Sequence, residues 1–191
     1  MRVARWWTTG SVAAVLGLAL LLPAKAQDAW DAARAAGTHL LMRHAIAPGT
    51  GDPGNFSLSD CATQRNLSDA GRTQAERIGR SLRENDVAIA VVLTSQWCRS
   101  RDTAERLGIR PVEDEPALNS FFAGRGDRAE QTEALKARIA ELDAAGKKAV
   151  LVSHQVNVTA LTGVYPASGE IVVIRLGADG EVSVEGRLET E

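Results

Sequence analysis

Three short apolar runs, each ending abruptly in arginine or histidine, constrain this sequence more than any other feature. The first is Leu40, Leu41 and Met42, followed by Arg43 and His44 and then by a Pro- and Gly-rich loop from Pro48 to Gly54. The second is Val91, Val92 and Leu93, followed by Thr94, Ser95, Gln96, Trp97, Cys98 and Arg99. The third is Val150, Leu151 and Val152, followed by Ser153 and His154. Continuous apolar runs this short read as strands buried on both faces of a parallel sheet. Ligands of open α/β sheets bind beyond the carboxyl ends of the strands, where all three polar sets fall. The pattern predicts one pocket shared by three strand ends.

The segments between the runs carry helical signals. Ser68 stands as an N-cap, and Ala75, Ile78, Gly79 and Leu82 follow at the spacing of one inward helical face. Thr103 and Ala104 fall on a short helix closed by Gly108. Asp127 caps a longer helix whose inward stripe is Leu135, Ile139 and Leu142 and which ends at Gly146. Residues 155–163 read as another helix. A strand over Ile171 to Ile174 turns through Ala178, Asp179 and Gly180 into a final strand around Val182 to Val184, as a hairpin at a sheet edge. Alternating strands and helices predict an α/β three-layer sandwich, with helices on both faces of a mainly parallel sheet. The irregular stretch from Pro48 to Leu67 is long for a compact fold, which marks it as a pocket wall.

The spacing of the polar residues resembles the histidine phosphatase superfamily, in its phosphoglycerate mutase-like branch 1. Arg43-His44-Ala45, Ser95 to Arg99 with Thr103-Ala104, and the late Ser153-His154 occur in the family's order. Arg65, Leu67 and Gly71 match its Arg-x-Leu-(three residues)-Gly segment, and the likeness covers about residues 38 to 175. The resemblance implies a metal-independent phosphatase that needs no cofactor and has the phosphoglycerate mutase-like fold.

The chemistry of the residues agrees with that implication. Neutral imidazole has a lone pair near neutral pH, so His44 suits the role of a nucleophile that forms a covalent phosphohistidine. Arg43 and Arg99 offer planar forks that match phosphate oxygens, and a protonated His154 would add another donor. Arg65 is a further candidate for the phosphate, although the family also uses that segment as a brace. Arg101, one helical step past Arg99, should be a surface charge. His39, five residues before His44, falls on the opposite strand face and reads as structural. Trp97, Phe121 and Phe122 are candidates for the substrate side of the pocket, or for packing.

One departure from the family stands out. Mutase-like members carry Leu-x-Glu between the second and third motifs, the glutamate protonating the leaving oxygen. Here Leu118 is followed by Asn119 and Ser120. Asp52, Asp60 and Glu115 are the carboxylates that could substitute. The missing acid admits two alternatives to a phosphomonoester hydrolase: a regulatory module that binds phosphorylated ligands without turnover, and a phosphohistidine protein phosphatase. The three histidines lack i, i+4 spacing and have no acidic cluster beside them, so no metal site is expected.

The amino terminus resembles a secretory signal: Arg2 and Arg5, an apolar stretch from Val12 to Leu22, then Pro23 and Ala24-Lys25-Ala26. Cleavage after Ala26 would leave a histidine phosphatase domain over residues 27–191 in the periplasm, with no stable membrane association. An uncleaved anchor is the alternative, weakened by Thr8, Thr9, two glycines and the proline. Of the 22 Lys and Arg, three lie in residues 1–26 with no acid. The remainder holds 19 basic against 24 acidic side chains, a formal charge of −5, which disfavours nucleic acid as a partner. A small phosphorylated substrate or envelope component is expected instead. Cys61 and Cys98, the two cysteines, both neighbour motif residues. In an oxidising compartment they would form a bridge across the pocket, or else remain two buried thiols.

Overall fold

The three apolar runs become adjacent parallel strands at the centre of one sheet. The computed structural model describes residues 24–190, so residues 1–23 of the expected signal segment over 1–26 lie outside the described residues. Helix α1 spans Ala24–Arg34, strand β1 His39–Arg43, α2 Asp69–Glu84, β2 Val91–Thr94 and α3 Cys98–Arg106. Strand β3 spans Val112–Asp114, α4 Arg128–Ala144, β4 Ala149–Ser153, α5 Gln155–Thr162, β5 Ile171–Leu176 and β6 Val182–Leu188. The strand order is β3-β2-β4-β1-β5-β6. The β2–β3, β2–β4 and β1–β4 pairs are parallel, and β5 runs antiparallel to both β1 and β6.

Alternation along the strands sorts the core into two layers. Leu40, Met42, Val92, Val150 and Val152 meet Ala29 and Ala33 of α1, Ile78 and Leu82 of α2, and Ala104 and Leu107 at α3. On the other face Leu41, Leu93, Ala149 and Leu151 meet Leu135, Ile139 and Leu142 of α4 and Val158 and Leu161 of α5. The expected three-layer sandwich is therefore present. Caps fall where the sequence puts them: the Ser68 side chain accepts from the Gly71 N–H, and Asp127 accepts from the Glu130 N–H. Among the described residues no helix is long and apolar enough to cross a membrane.

Three elements differ from expectation. Strand β3 has a single apolar residue and pairs only at the sheet edge, so no hydrophobic signal announces it. Strand β6 runs to Leu188, where that side chain turns back into the core. Helix α1 covers the hairpin edge, its Ala29 seated against Gly186, where an added Cβ would come 3.1 Å from the Ala29 Cα.

Gly79 lies where α2 crosses the end of α3. A Cβ there would stand 1.9 Å from the Leu107 carbonyl oxygen, a backbone atom that no rotamer can move aside. Replacing Gly79 with Ala should therefore destabilise the protein by about 1–3 kcal/mol, read as a lowered denaturant midpoint, whereas a gain in stability would contradict the close crossing.

Candidate active site

The polar residues that follow the central strands are held by continuations of the sheet itself. The His44 N–H donates to the Ser153 carbonyl at 2.9 Å, and the Ser95 N–H to the Val152 carbonyl at 3.0 Å. Arg43 and Ser153 are register partners. Arg99 lies in the first turn of α3, and His154 is the residue that opens α5. Two helix amino termini thus face the same cleft, which favours negative charge there. The cleft encloses about 160 Å³, and Arg43, His44, Arg65, Arg99 and His154 all line it. The sequence-predicted set is brought together in full.

Hydrogen bonding fixes the tautomer of both histidines. His44 is 2% exposed. Its Nδ1 donates to the Ala45 carbonyl at 2.8 Å, which leaves a lone pair on Nε2. That Nε2 accepts from Arg99 Nε at 3.2 Å. His154 Nδ1 accepts from Arg99 Nη2 at 3.3 Å, so its Nε2–H is the donor to Ser95 Oγ at 2.8 Å. Ser95 Oγ in turn reaches Asn119 Oδ1 at 3.2 Å. Burial, and after it the Arg99 charge, holds both imidazoles well below the ordinary histidine pKa. Both rings are neutral at pH 7. His154 therefore meets Arg99 as a hydrogen-bond acceptor, and the further donor that its protonation would add is not present in this neutral state.

Arg99 is the junction of the site. Besides the two histidines, its Nη1 bonds Asp52 Oδ1 at 2.8 Å, with both side chains at most 5% exposed. Burial draws its pKa down to about 10, opposed by Asp52, so it stays charged at neutral pH. Asp52 also accepts from the Arg65 N–H at 3.0 Å and from the Trp97 indole at 3.1 Å. Burial pushes the Asp52 carboxyl up, yet these donors and the Arg99 charge hold it below the usual carboxylate range. An ionised, fully engaged carboxylate cannot supply a proton, which removes Asp52 as a substitute acid. Asp60 and Glu115 are removed by position. Asp60 caps the short turn Cys61–Thr63, and Glu115 caps Pro116–Leu118 and pairs with Arg138 at 3.3 Å. Ser120 does line the cleft.

The remaining arginines divide their labour. Arg43 Nη1 donates to the Pro166 carbonyl at 3.1 Å, while its Nε is buried and unpartnered among the described residues. Arg65 spends Nε and Nη1 on the Gly51 and Ala47 carbonyls, bracing the loop while its guanidinium edge remains in the cleft. The loop is further tied by the Cys61–Cys98 disulfide, with Cα atoms 5.7 Å apart, and by Gln64 Oε1, which accepts from the Cys98 N–H at 3.0 Å. Thr103 Oγ1 accepts from the Ala45 N–H at 3.0 Å. Gly71 lets the Ile46 carbonyl approach so closely that a Cβ would sit 2.1 Å from it. His39 and Arg101 lie elsewhere, as expected: His39 Nε2 meets Asp143 at 3.1 Å, and Arg101 pairs with Asp114 at the surface. Among the described residues, no three His, Cys, Asp or Glu side chains gather as a metal site.

The mouth of the cleft was only partly foreseen. Phe122 lines it as a candidate substrate contact, together with Arg125, Gln155 and Tyr165, which were not singled out. Trp97 instead packs edge-on against His154, with centroids 5.5 Å apart, and borders a wider neighbouring groove. Phe121 is half-buried beside it. The Gly124-Arg125-Gly126 triplet was a usable signal: a cation displayed between two glycines in an irregular segment that directly follows Ser120.

An α/β sandwich with two neutral histidines and three arginines at its strand ends defines a class of phosphoryl-binding proteins. The pattern of the histidine phosphatase superfamily, branch 1, matches residues 40–146, and the chain belongs to that superfamily. Three solved structures share its fold. The protein histidine phosphatase SixA, complexed with tungstate, is 21% identical, with 80% of this chain and 96% of that one covered and a TM-score of 0.59. A mycobacterial glucosyl-3-phosphoglycerate phosphatase is 17% identical over 78% of this chain and 97% of that one, with a TM-score of 0.57. A phosphoserine phosphatase variant from Entamoeba histolytica is 12% identical over 78% and 95%, with a TM-score of 0.58. No curated protein sequence matches significantly.

The buried neutral histidines make stability depend on pH. His39, like His44 and His154, has its pKa lowered chiefly by burial, with Asp143 opposing. The unfolded chain therefore binds more protons than the folded one once pH falls below about 6.5. Stability is fully present above that pH and is lost on acidification towards the folded pKa values. The slope is at most about 1.4 kcal/mol per pH unit for each histidine. Denaturant unfolding in phosphate-free buffer between pH 8 and pH 5 should show this decline, and stability that is flat or rises on acidification would refute the neutral assignment.

Proposed function

We propose that the protein is an exported, metal-independent phosphatase that hydrolyses phosphomonoesters through a phosphohistidine on His44. The observation that carries this reading is the uncharged His44 Nε2, its lone pair held in a cleft beside the Arg43, Arg65 and Arg99 guanidiniums. The incoming phosphoryl group displaces the Arg99 Nε–H from the Nε2 lone pair, Nε2 attacks phosphorus, the P–O ester bond breaks, and its electron pair departs on the ester oxygen. Water then attacks the phosphohistidine, releasing orthophosphate and restoring neutral imidazole. The arginines hold the equatorial oxygens, which carry charge in the transition state. His154 acts through Arg99, whose orientation it fixes.

The leaving group must depart without an internal acid, because Asp52 is ionised and Ser120 occupies the place of a proton donor. Rates should rise steeply as the leaving-group pKa falls, so aryl phosphates outrun alkyl phosphates. Ser120→Glu should recover for alkyl esters part of the roughly 100-fold to 10,000-fold that a positioned acid contributes. Phosphate release from a chromogenic aryl ester in the presence of a chelator tests the core of the reading. His44→Ala should abolish release, and undiminished activity in that variant would end the proposal.

The missing acid also favours a second reading, a phosphate-ligand binding module without turnover. Multiple turnover of any phosphorylated substrate excludes it. A phosphohistidine protein phosphatase would equally need no acid, since imidazole leaves readily, but export separates the protein from cytoplasmic phosphohistidine carriers. Export rests on the charged-apolar-small leader and on the Cys61–Cys98 bridge, which persists in oxidising compartments. Protein recovered from the periplasm should begin at Gln27 and yield one linked peptide pair by non-reducing mass spectrometry. A chain retained in the cytoplasm with free thiols would contradict this.

A further inference from the structure

The cleft contains one cation more than a single phosphoryl group requires. Arg43, Arg65 and Arg99 against the Asp52 carboxylate leave two positive charges, which match one dianionic phosphoryl group. Arg125 is the surplus. It is exposed, has no carboxylate partner among the described residues, and lines the cleft together with Phe122 and with Ser120, which stands at the family's proton-donor position.

Its position is not that of a loose surface side chain. The guanidinium carbon lies 4.2 Å from the centroid of the Phe56 ring. Phe56 stacks on Trp97 at 5.1 Å, and Trp97 packs against His154. Stacking uses the face of the guanidinium and leaves its N–H edges to bond oxygens. Arg125 also borders the neighbouring groove of about 650 Å³, which runs past Phe56 and Leu58. It therefore stands between the phosphoryl site and a space large enough for the rest of a substrate.

We propose that Arg125 binds a second phosphate, and that the preferred substrates are diphosphate esters whose terminal phosphoryl group is transferred to His44 while their organic part lies in the groove. This rests on the phosphatase reading above and names its substrate class. His44 Nε2 attacks the terminal phosphorus, the anhydride P–O bond breaks, and the electron pair leaves on the bridging oxygen of a phosphomonoester held by Arg125. Water hydrolyses the phosphohistidine to orthophosphate. A phosphomonoester, with its second pKa near about 6, departs without a proton, which removes the demand that Ser120 cannot meet. A leaving group with a carboxylate would satisfy the charge of Arg125 but would still depart as an alkoxide.

Calorimetry separates this inference from the phosphatase reading, because it needs no turnover. Methylenediphosphonate should bind the protein about 10-fold to 100-fold more tightly than methylphosphonate at equal ionic strength. Arg125→Ala should remove most of that advantage, and Arg125→Lys should keep part of it as a point charge. In turnover, a short alkyl diphosphate should exceed the matching alkyl monophosphate about 100-fold in kcat/KM, and Arg125→Ala should narrow the ratio. Equal affinities, or an advantage that survives Arg125→Ala, overturn the inference, as does phosphonoacetate binding as tightly as the diphosphonate. A diphosphonate advantage that Arg125→Ala removes, with no phosphate released from any substrate, supports Arg125 as the second-phosphate site and defeats the phosphatase reading alone.

Discussion

The contacts of one buried guanidinium organise this site. Arg99 is 3% exposed and touches both histidines and Asp52 at once. A charge taken out of water costs several kcal/mol unless it is paired and hydrogen-bonded. Each neighbour can be understood as meeting that demand. Asp52 supplies the countercharge, the two imidazoles supply acceptors, and the Arg65 carbonyl lies 3.4 Å from Nη1. In return the guanidinium fixes the orientation of both rings and adds to the burial that keeps them uncharged. Without Arg99, Asp52 would lose its countercharge and both imidazoles the donor that orients their rings.

Much of this was legible in the sequence, for identifiable reasons. The runs at Leu40, Val91 and Val150 are continuous because helices cover both faces of their strands, and such runs stand out. Polar residues at the ends of those runs then fall in one place by topology alone. The caps at Ser68 and Asp127 carry their own chemistry and were equally plain. Strand β3 was illegible because Val112 is its one apolar side chain. The Asp52–Arg99 pair was illegible for a different reason: its partners are 47 residues apart, and one sits in a Gly- and Pro-rich loop with no periodicity to align it. Arg125 lacked any strand or helix to place it.

Local contacts explain why the candidate carboxylates fail as acids. Asp60 and Glu115 cap turns, and Asp52 is bound by three donors, so each is committed to holding backbone or charge in place. Proton donation needs a carboxyl group left protonated by its surroundings, and the donors aimed at Asp52 act in the opposite sense. Asn119 shows the complementary case. It occupies the centre of the family's Leu-x-Glu position, and here it receives the Ser95 hydroxyl and the Gln96 N–H, linking the second strand end to His154.

The disulfide changes the chain length that separates Asp52 from Arg99. Along the backbone the two are 47 residues apart. Through Cys61 and Cys98 the path shortens to about ten residues, so in the unfolded chain the cross-link keeps the carboxylate nearer the guanidinium than the backbone alone would. Cross-linking therefore limits the freedom of a pair that it does not touch. A phosphoryl group entering the cleft must share Arg99 with this internal anion, because Asp52 Oδ1 already occupies its Nη1.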